Sequence, residues 1–326
     1  NVTISNNTAD IGGGMYLYFS NPTLNNVTIS NNTASIHGGG MYIWESNPIL
    51  TNVTISNNMA LWDGGGMLLD NSNPTLTDVT ISNNDGVGMS LSDSNPTLNN
   101  VTISNNGGGM YLVESNPILN NVTISNNTAY RGGGIYLWSS HPTLNNMTIS
   151  NNTADNDGGG MYLGFSNPTL NNVTISNNTA DNDGGGMYLR YSNPTLTNSI
   201  IWDNSPESIY LHSDEQPIIT YSNIEGGFEG EGNIDADPLF TDPDNGDYTL
   251  LPNSPCIDSG TAFFEIDSIG VIVDLDESEY IGTAPDMGAY EYELLSIDKP
   301  VEILPIEYSL EYPYPNPFNP KTSILF

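Results

Sequence analysis

The sequence predicts an all-β fold, a right-handed parallel β-helix closed by a C-terminal cap and followed by an irregular tail. Three observations carry that reading. First, a 21-residue core, Gly-Gly-Gly-Met-Tyr-Leu-x-x-Ser-Asn-Pro-Thr-Leu-x-Asn-Val-Thr-Ile-Ser-Asn-Asn, recurs through the first 200 residues, with its prolines at Pro22, Pro48, Pro74, Pro96, Pro117, Pro142, Pro168 and Pro194. Second, the short runs within it alternate apolar and polar residues, as in Val27-Thr28-Ile29-Ser30 and Met41-Tyr42-Ile43, and Asn, Gly and Pro bound them. Third, no segment shows helical periodicity. Three short strands per repeat are too few for a four-stranded propeller blade but suit one triangular coil, stacked on the next at roughly 4.8 Å.

The length variation between repeats falls almost wholly between the Asn-Asn pair and the Gly triplet. Asn105-Asn106 runs straight into Gly107, whereas Thr33 to His37 and Asp181-Asn182-Asp183 lie in five-residue insertions. One corner of the coil therefore carries a variable loop. Strand parity puts Val27, Ile29, Met15 and Leu17 inside and Thr28, Ser30, Tyr16 and Tyr18 outside. Extended one step further, the same parity turns Asn31 inward, and with it a column through Asn6, Asn57, Asn83, Asn105, Asn126, Asn151 and Asn177. Buried amides stacked one above another would bond along the column, a structural role.

The Gly-Gly-Gly-Met and Val-Thr-Ile-Ser-Asn-Asn segments resemble the pectin-lyase-like β-helix repeats of bacterial surface proteins over about residues 1–224, a likeness that implies the fold more than any activity. Residues 225–293 form a second, acidic region, read as a cap that covers the otherwise unpaired last coil. Its segments Asn233-Ile234-Asp235-Ala236-Asp237-Pro238-Leu239-Phe240, Ser254-Pro255-Cys256-Ile257-Asp258-Ser259-Gly260 and Asp286-Met287-Gly288-Ala289-Tyr290-Glu291-Tyr292 are similar to the C-terminal end of secreted choice-of-anchor β-helix proteins. Residues 294–310 read as a linker. Residues 311–326, with Tyr312-Pro313-Tyr314-Pro315-Asn316-Pro317-Phe318-Asn319-Pro320, resemble the opening of the C-terminal sorting domain of type IX secretion cargo. That resemblance implies a bacterial secretion machinery as partner and an extracellular or outer-surface location, and the chain reads as a piece of a longer product.

Composition narrows the function. The chain of 326 residues has 38 acidic against four basic side chains and a formal charge of −34, and 24 of those net charges lie in residues 201–326. Such a surface repels nucleic acid and anionic lipid, which require Lys and Arg in number. A single cysteine excludes a disulfide framework, and no apolar run is long enough for membrane insertion. No His-Glu-x-x-His, Gly-x-Ser-x-Gly or phosphate-loop motif is present. His37, His141 and His212 read as surface polar residues. The expectation is a non-enzymatic structural or adhesive module for glycans, with a degenerate polysaccharide lyase or hydrolase as one alternative.

Two outward faces and one loop cluster supply candidate sites. Tyr16, Tyr42, Tyr111, Tyr136, Tyr162 and Tyr188 align in one outward column, with Tyr18, Trp44 and Trp138 beside it and Tyr191 nearby; such rings stack on sugars or on one another. The Thr and Ser columns, from Thr3 and Ser5 to Thr174 and Ser176, form a hydroxyl array of the kind used by ice-binding solenoids, the second alternative. Asp155, Asp157, Asp181 and Asp183 occupy equivalent insertions of consecutive coils, where hard oxygen ligands suit calcium, the one cofactor the sequence suggests. Asp242-Pro243-Asp244-Asn245-Gly246-Asp247 reads as a tight turn before a second calcium loop.

Overall fold

A computed structural model describes residues 1–266 and 270–293. The Met-Tyr-Leu segments, from Met15–Tyr18 to Ile209–Leu211, stack as a nine-stranded sheet. Each pair in it is parallel and in register, so that Met15 lies on Met41 and Tyr16 on Tyr42. The Thr-Leu and Val-Thr-Ile-Ser segments share a fifteen-stranded sheet, and in four coils they run on as eight-residue strands such as Thr23–Ser30 and Thr169–Ser176. The body is a parallel β-helix. Its interior holds the expected columns, among them Ile29, Ile55 and Ile81, Leu50, Leu76 and Leu98, and Met41, Met67 and Met89.

The corners are built by single residues of positive φ. At Asn6, Asn31, Asn57, Asn83, Asn105, Asn126, Asn151 and Asn177 φ lies between 55° and 58°, the left-handed region that Asn tolerates better than most residues. A residue in that conformation turns the chain and breaks the alternation of side chains. The inward amide is therefore the second of each Asn pair, not the first as parity alone had it. Asn32, Asn58, Asn84, Asn106, Asn127, Asn152 and Asn178 are the buried ladder. Both the backbone N–H and the Nδ2 of Asn106 donate to Asn127 Oδ1, at 2.9 and 3.1 Å, and its Nδ2 also donates to the Ile81 carbonyl at 3.2 Å.

The Gly triplet follows from this ladder. A Cβ on Gly109 would sit 2.3 Å from the Gly134 carbonyl and 2.7 Å from Ile124 Cγ2, so no larger residue fits beside the amide column. At the opposite corner a serine ladder does similar work. Ser115 Oγ accepts the Ser94 N–H at 3.0 Å and donates to the Val113 carbonyl at 2.7 Å. Beside it runs an exposed Asn ladder, in which His141 takes one place and its Nδ1 accepts the Asn167 N–H at 2.9 Å.

The insertion corner is more ordered than a variable loop. Thr33–His37 and Met59–Ala60 pair in a small parallel sheet, as do Thr128–Ala129, Thr153–Ala154 and Thr179–Ala180. Beyond these strands the tips are still tied coil to coil by single backbone bonds, such as Trp62 N–H to the Ile36 carbonyl at 3.1 Å and Asp181 N–H to the Ala154 carbonyl at 3.0 Å.

The segment after Ile224 both closes the end and folds back along the flank. Phe228 packs against the interior of the last coil, and Asn233 Nδ2 donates to the Ile219 carbonyl at 2.8 Å. The chain then returns past the hydroxyl face. Tyr248 Oη accepts from Asn151 Nδ2 at 3.2 Å, and the Ala289 N–H donates to Thr174 Oγ1 at 3.0 Å. Leu250, Cys256 and Met287 form a second apolar cluster with Ile200. Burial lifts the Cys256 thiol to about 11, so it is an inert packing group. Pro243–Asn245 is a 3-10 turn in a hairpin between Phe240–Asp242 and Asp247–Leu250. The regions assigned to linker and sorting domain lie outside the described residues.

Candidate functional site

The outward tyrosines stack on one another. Ring centroids of Tyr111, Tyr136, Tyr162, Tyr188 and Tyr210 succeed each other at 4.8, 5.0, 5.1 and 5.2 Å with interplanar angles of 4–15°. Parallel strands in register impose this, because each ring stands one strand spacing above the last. Tyr16 and Tyr42 make a separate pair at 5.3 Å, cut off by Leu68 and Ser90 in the intervening coils.

Stacking consumes the ring faces that a sugar would need. Tyr162 is 1% and Tyr188 6% exposed. The Arg131 guanidinium lies 5.4 Å from the Tyr162 ring, and Tyr188 Oη meets His212 Nδ1 at 2.7 Å. Burial is the main cause that raises Tyr136 and Tyr188 to about 12, and the nearby Asp157 charge adds to it at Tyr188. The structure thus removes Tyr162 and Tyr188 from the accessible platform. Near them, Phe165 and Tyr191 stay exposed and stack at 5.0 Å, with Trp138 edge-on to Phe165 at 5.1 Å. Trp138 lies over the gap left by Gly164, where a Cβ would be 2.7 Å from its Cε3.

A broader accessible aromatic surface lies at the other end. Tyr16, Tyr18 and Trp44 are exposed there, joined by two residues that pattern reading passed over, Phe19 and Trp62, at 64% and 75% exposure. Trp62 and His37 meet edge to face at 6.1 Å, His37 and Tyr42 at 6.4 Å, Tyr16 and Tyr18 at 6.2 Å, and Tyr18 and Phe19 at 4.4 Å. Trp44 sits 4.9 Å from Tyr18. Rings therefore cross the face from corner to corner. Phe19 holds the positive-φ corner position (47°) and Trp62 the insertion tip, so the repeat consensus contains neither. The signal was there, in the aromatic residues at positions where other coils carry Glu45, Asn71 or Asp93.

The four loop aspartates are not gathered into one ligand group, although Asp183 stands near enough to Asp157 for its charge to be felt there. The insertions stack as expected, with the Asn182 N–H donating to the Asn156 carbonyl at 2.9 Å. Asp155 and Asp181 nevertheless face solvent, and Asp157 is paired with Arg131 at 3.1 Å. Burial raises Asp157, against the opposing pull of Arg131. Among the described residues no group of three or more His, Cys, Asp or Glu side chains could hold a metal ion. The hydroxyl face is divided: Thr148, Ser150, Thr174 and Ser176 are buried beneath the returning segment, and only the earlier coils present an open array.

Residues 1–154 match the family model of a right handed beta helix region, and residues 118–235 match that of the periplasmic copper-binding protein NosD. No curated protein matches the chain. Among solved structures, pectate lyase Pel9A is similar with a TM-score of 0.51 and 12% identity, over 82% of this chain and 70% of that one. At that identity the likeness shows a shared β-helix fold. The side chains present do not fit a copper centre: the three histidines lie on separate coils, Cys256 is buried, and the described residues hold no ligand cluster.

Proposed function

We propose that the chain is a non-catalytic, glycan-binding β-helix module of an exported bacterial protein. One observation carries the reading: the exposed rings of Trp62, Tyr16, Tyr18, Trp44 and Phe19, linked through His37 and Tyr42, form a strip across one face. What sets these rings apart from the buried column is their exposure, highest at Trp62 and Phe19, which leaves surface for sugar rings to lie against, and each good stacking contact contributes on the order of 1 kcal/mol. An apolar patch of this extent on a chain so acidic is a binding surface in need of a partner. The NosD match names a periplasmic protein, and a single cysteine together with the sorting-domain resemblance is consistent with export.

The test is a glycan array followed by calorimetry on the parent and on the Trp44→Ala, Trp62→Ala double variant. Binding by the parent from which the variant loses a site, or weakens it at least tenfold, with an unchanged melt, supports the platform. Binding unchanged in both affinity and stoichiometry, or release of unsaturated or reducing sugar by the parent, overturns it, the second in favour of a polysaccharide lyase or hydrolase.

A further inference from the structure

Between the described part of the returning C-terminal segment and the flank of the helix lies a trench. Three clefts lie end to end along this edge. The first, about 370 Å³, has Thr123, Ser125 and Asn126 as its floor and Tyr290 with Asp244–Gly246 as its wall. The second, about 210 Å³, shares Tyr290 and continues over Asn121, Asn146 and Asn172 beneath Leu275. The third, about 310 Å³, shares Leu275 and Glu279 and ends over Asn120, Asn145 and Asn171. The trench wraps the corner between the hydroxyl strands and the Thr-Leu strands, away from the tyrosine face.

Its chemistry is narrow. The floor is hydroxyl and amide, and the amides are held in a fixed row, with Asn145 Nδ2 donating to Asn120 Oδ1 at 2.9 Å. Among the described residues no Lys or Arg lines it. Two of its carboxylates are already engaged by backbone: Glu291 accepts the Asp286 and Ile281 N–H groups, both at 3.0 Å, and Glu279 accepts the Asp276 N–H at 2.9 Å. Tyr290, 40% exposed, is fixed by the Thr148 hydroxyl, which donates to its Oη at 3.2 Å, and offers an aromatic wall. An anionic ligand would find no cation and several negative charges. An apolar one would leave the amide floor without partners.

We propose that this trench is a second binding site, for a strand of neutral sugar. Hydroxyls along such a strand supply both donors and acceptors for the amide row, and its ring faces can lie against Tyr290. The proposal deepens the glycan-binding reading and rests on it in kind, although the two surfaces share no residue. With the aromatic platform on one side of the helix and the trench at the opposite corner, one molecule would hold two strands.

The experiment uses the full chain and four neutral probes (cellohexaose, xylohexaose, mannohexaose and laminarihexaose), with a hexagalacturonate as the charged control. Binding is measured by calorimetry for the parent, for Thr123→Trp, which fills the trench from an outward strand position, and for the Trp44→Ala, Trp62→Ala platform variant. The expected result is that the platform variant still binds a neutral hexasaccharide, that Thr123→Trp in that background weakens it at least about tenfold, and that hexagalacturonate does not bind. Ser125→Trp provides a second filled trench if Thr123→Trp lowers the melt. Undiminished binding in both filled variants, preference for the charged probe, or no neutral sugar bound by the platform variant overturns the trench. Loss of binding in the platform variant alone would leave the platform reading standing and the trench refuted.

Discussion

At the scale of single residues, the two asparagines that end each Val-Thr-Ile-Ser strand have opposite jobs. Asn105 makes the turn, with φ at 57°, while Asn106 fills the interior and bonds to the coils on either side. Asn106→Leu should therefore destabilise by about 1–3 kcal/mol, because it orphans the Asn84 N–H and the Ile81 carbonyl inside the helix. Asn105→Gly should be close to neutral, and Asn105→Val should cost about 1–2 kcal/mol through its left-handed backbone alone. Denaturant melts of the three variants check the ranking; equal losses at Asn105→Gly and Asn106→Leu would contradict the assignment. Adjacent, identical amides with different roles are indistinguishable by composition, and parity counted through a left-handed residue inverts the answer.

At the scale of elements, the tyrosine column and the insertion corner behave as units. Tyr136 and Tyr188 are raised from 10.0 to about 12, so their neutral forms are favoured in the folded chain. Below pH 10 folded and unfolded chains are both protonated there, and the column's contribution is complete. Between 10 and about 12 the unfolded chain ionises first, so stability should fall as pH rises across that window and level off above it for these two groups. Melts from pH 8 to 12, paired with phenolate absorbance, test this, and Tyr188→Phe should shrink the dependence. In the corner, deletion of Leu61 to Asp63 removes Trp62 and three backbone bonds (Leu61 N–H to Ala34, Trp62 N–H to Ile36 and Gly38 N–H to Asp63) but spares the Met59–Ala60 strand. The expected outcome is a cooperative melt lowered by only several degrees, with glycan affinity down at least about tenfold.

At the scale of the molecule, the helix is held by repetition and by its own returning tail. Each coil bonds to the next through backbone, Asn and Ser ladders, and the tail seals the hydroxyl face over the last coils through Tyr248, Ala289 and Tyr290. These contacts are hydrogen bonds between amide, hydroxyl and backbone groups. Melts in chelator and in millimolar calcium should coincide to within about a degree, since only a ligand selective for the folded state shifts the equilibrium. A rise with calcium that Asp155→Asn or Asp181→Asn abolishes would restore the stacked-aspartate site.

The repeat by itself determined the parallel β-helix, its inward Val, Ile, Leu and Met columns and the alignment of the tyrosines, because period and alternation act between neighbours in sequence and stacked coils copy them upward. Only the tertiary structure decided which asparagine is buried, since a change of sign in φ leaves no mark on composition. It also decided which aromatics are accessible: Tyr162 and Tyr188 have the same local sequence as Tyr16, yet in the folded chain they are enclosed by Arg131, His212 and neighbouring rings. The trench lay furthest from view. Its floor comes from coils around Asn121 and Asn146 and its wall from Leu275 and Tyr290, more than a hundred residues later, and no pattern within either segment records that they meet.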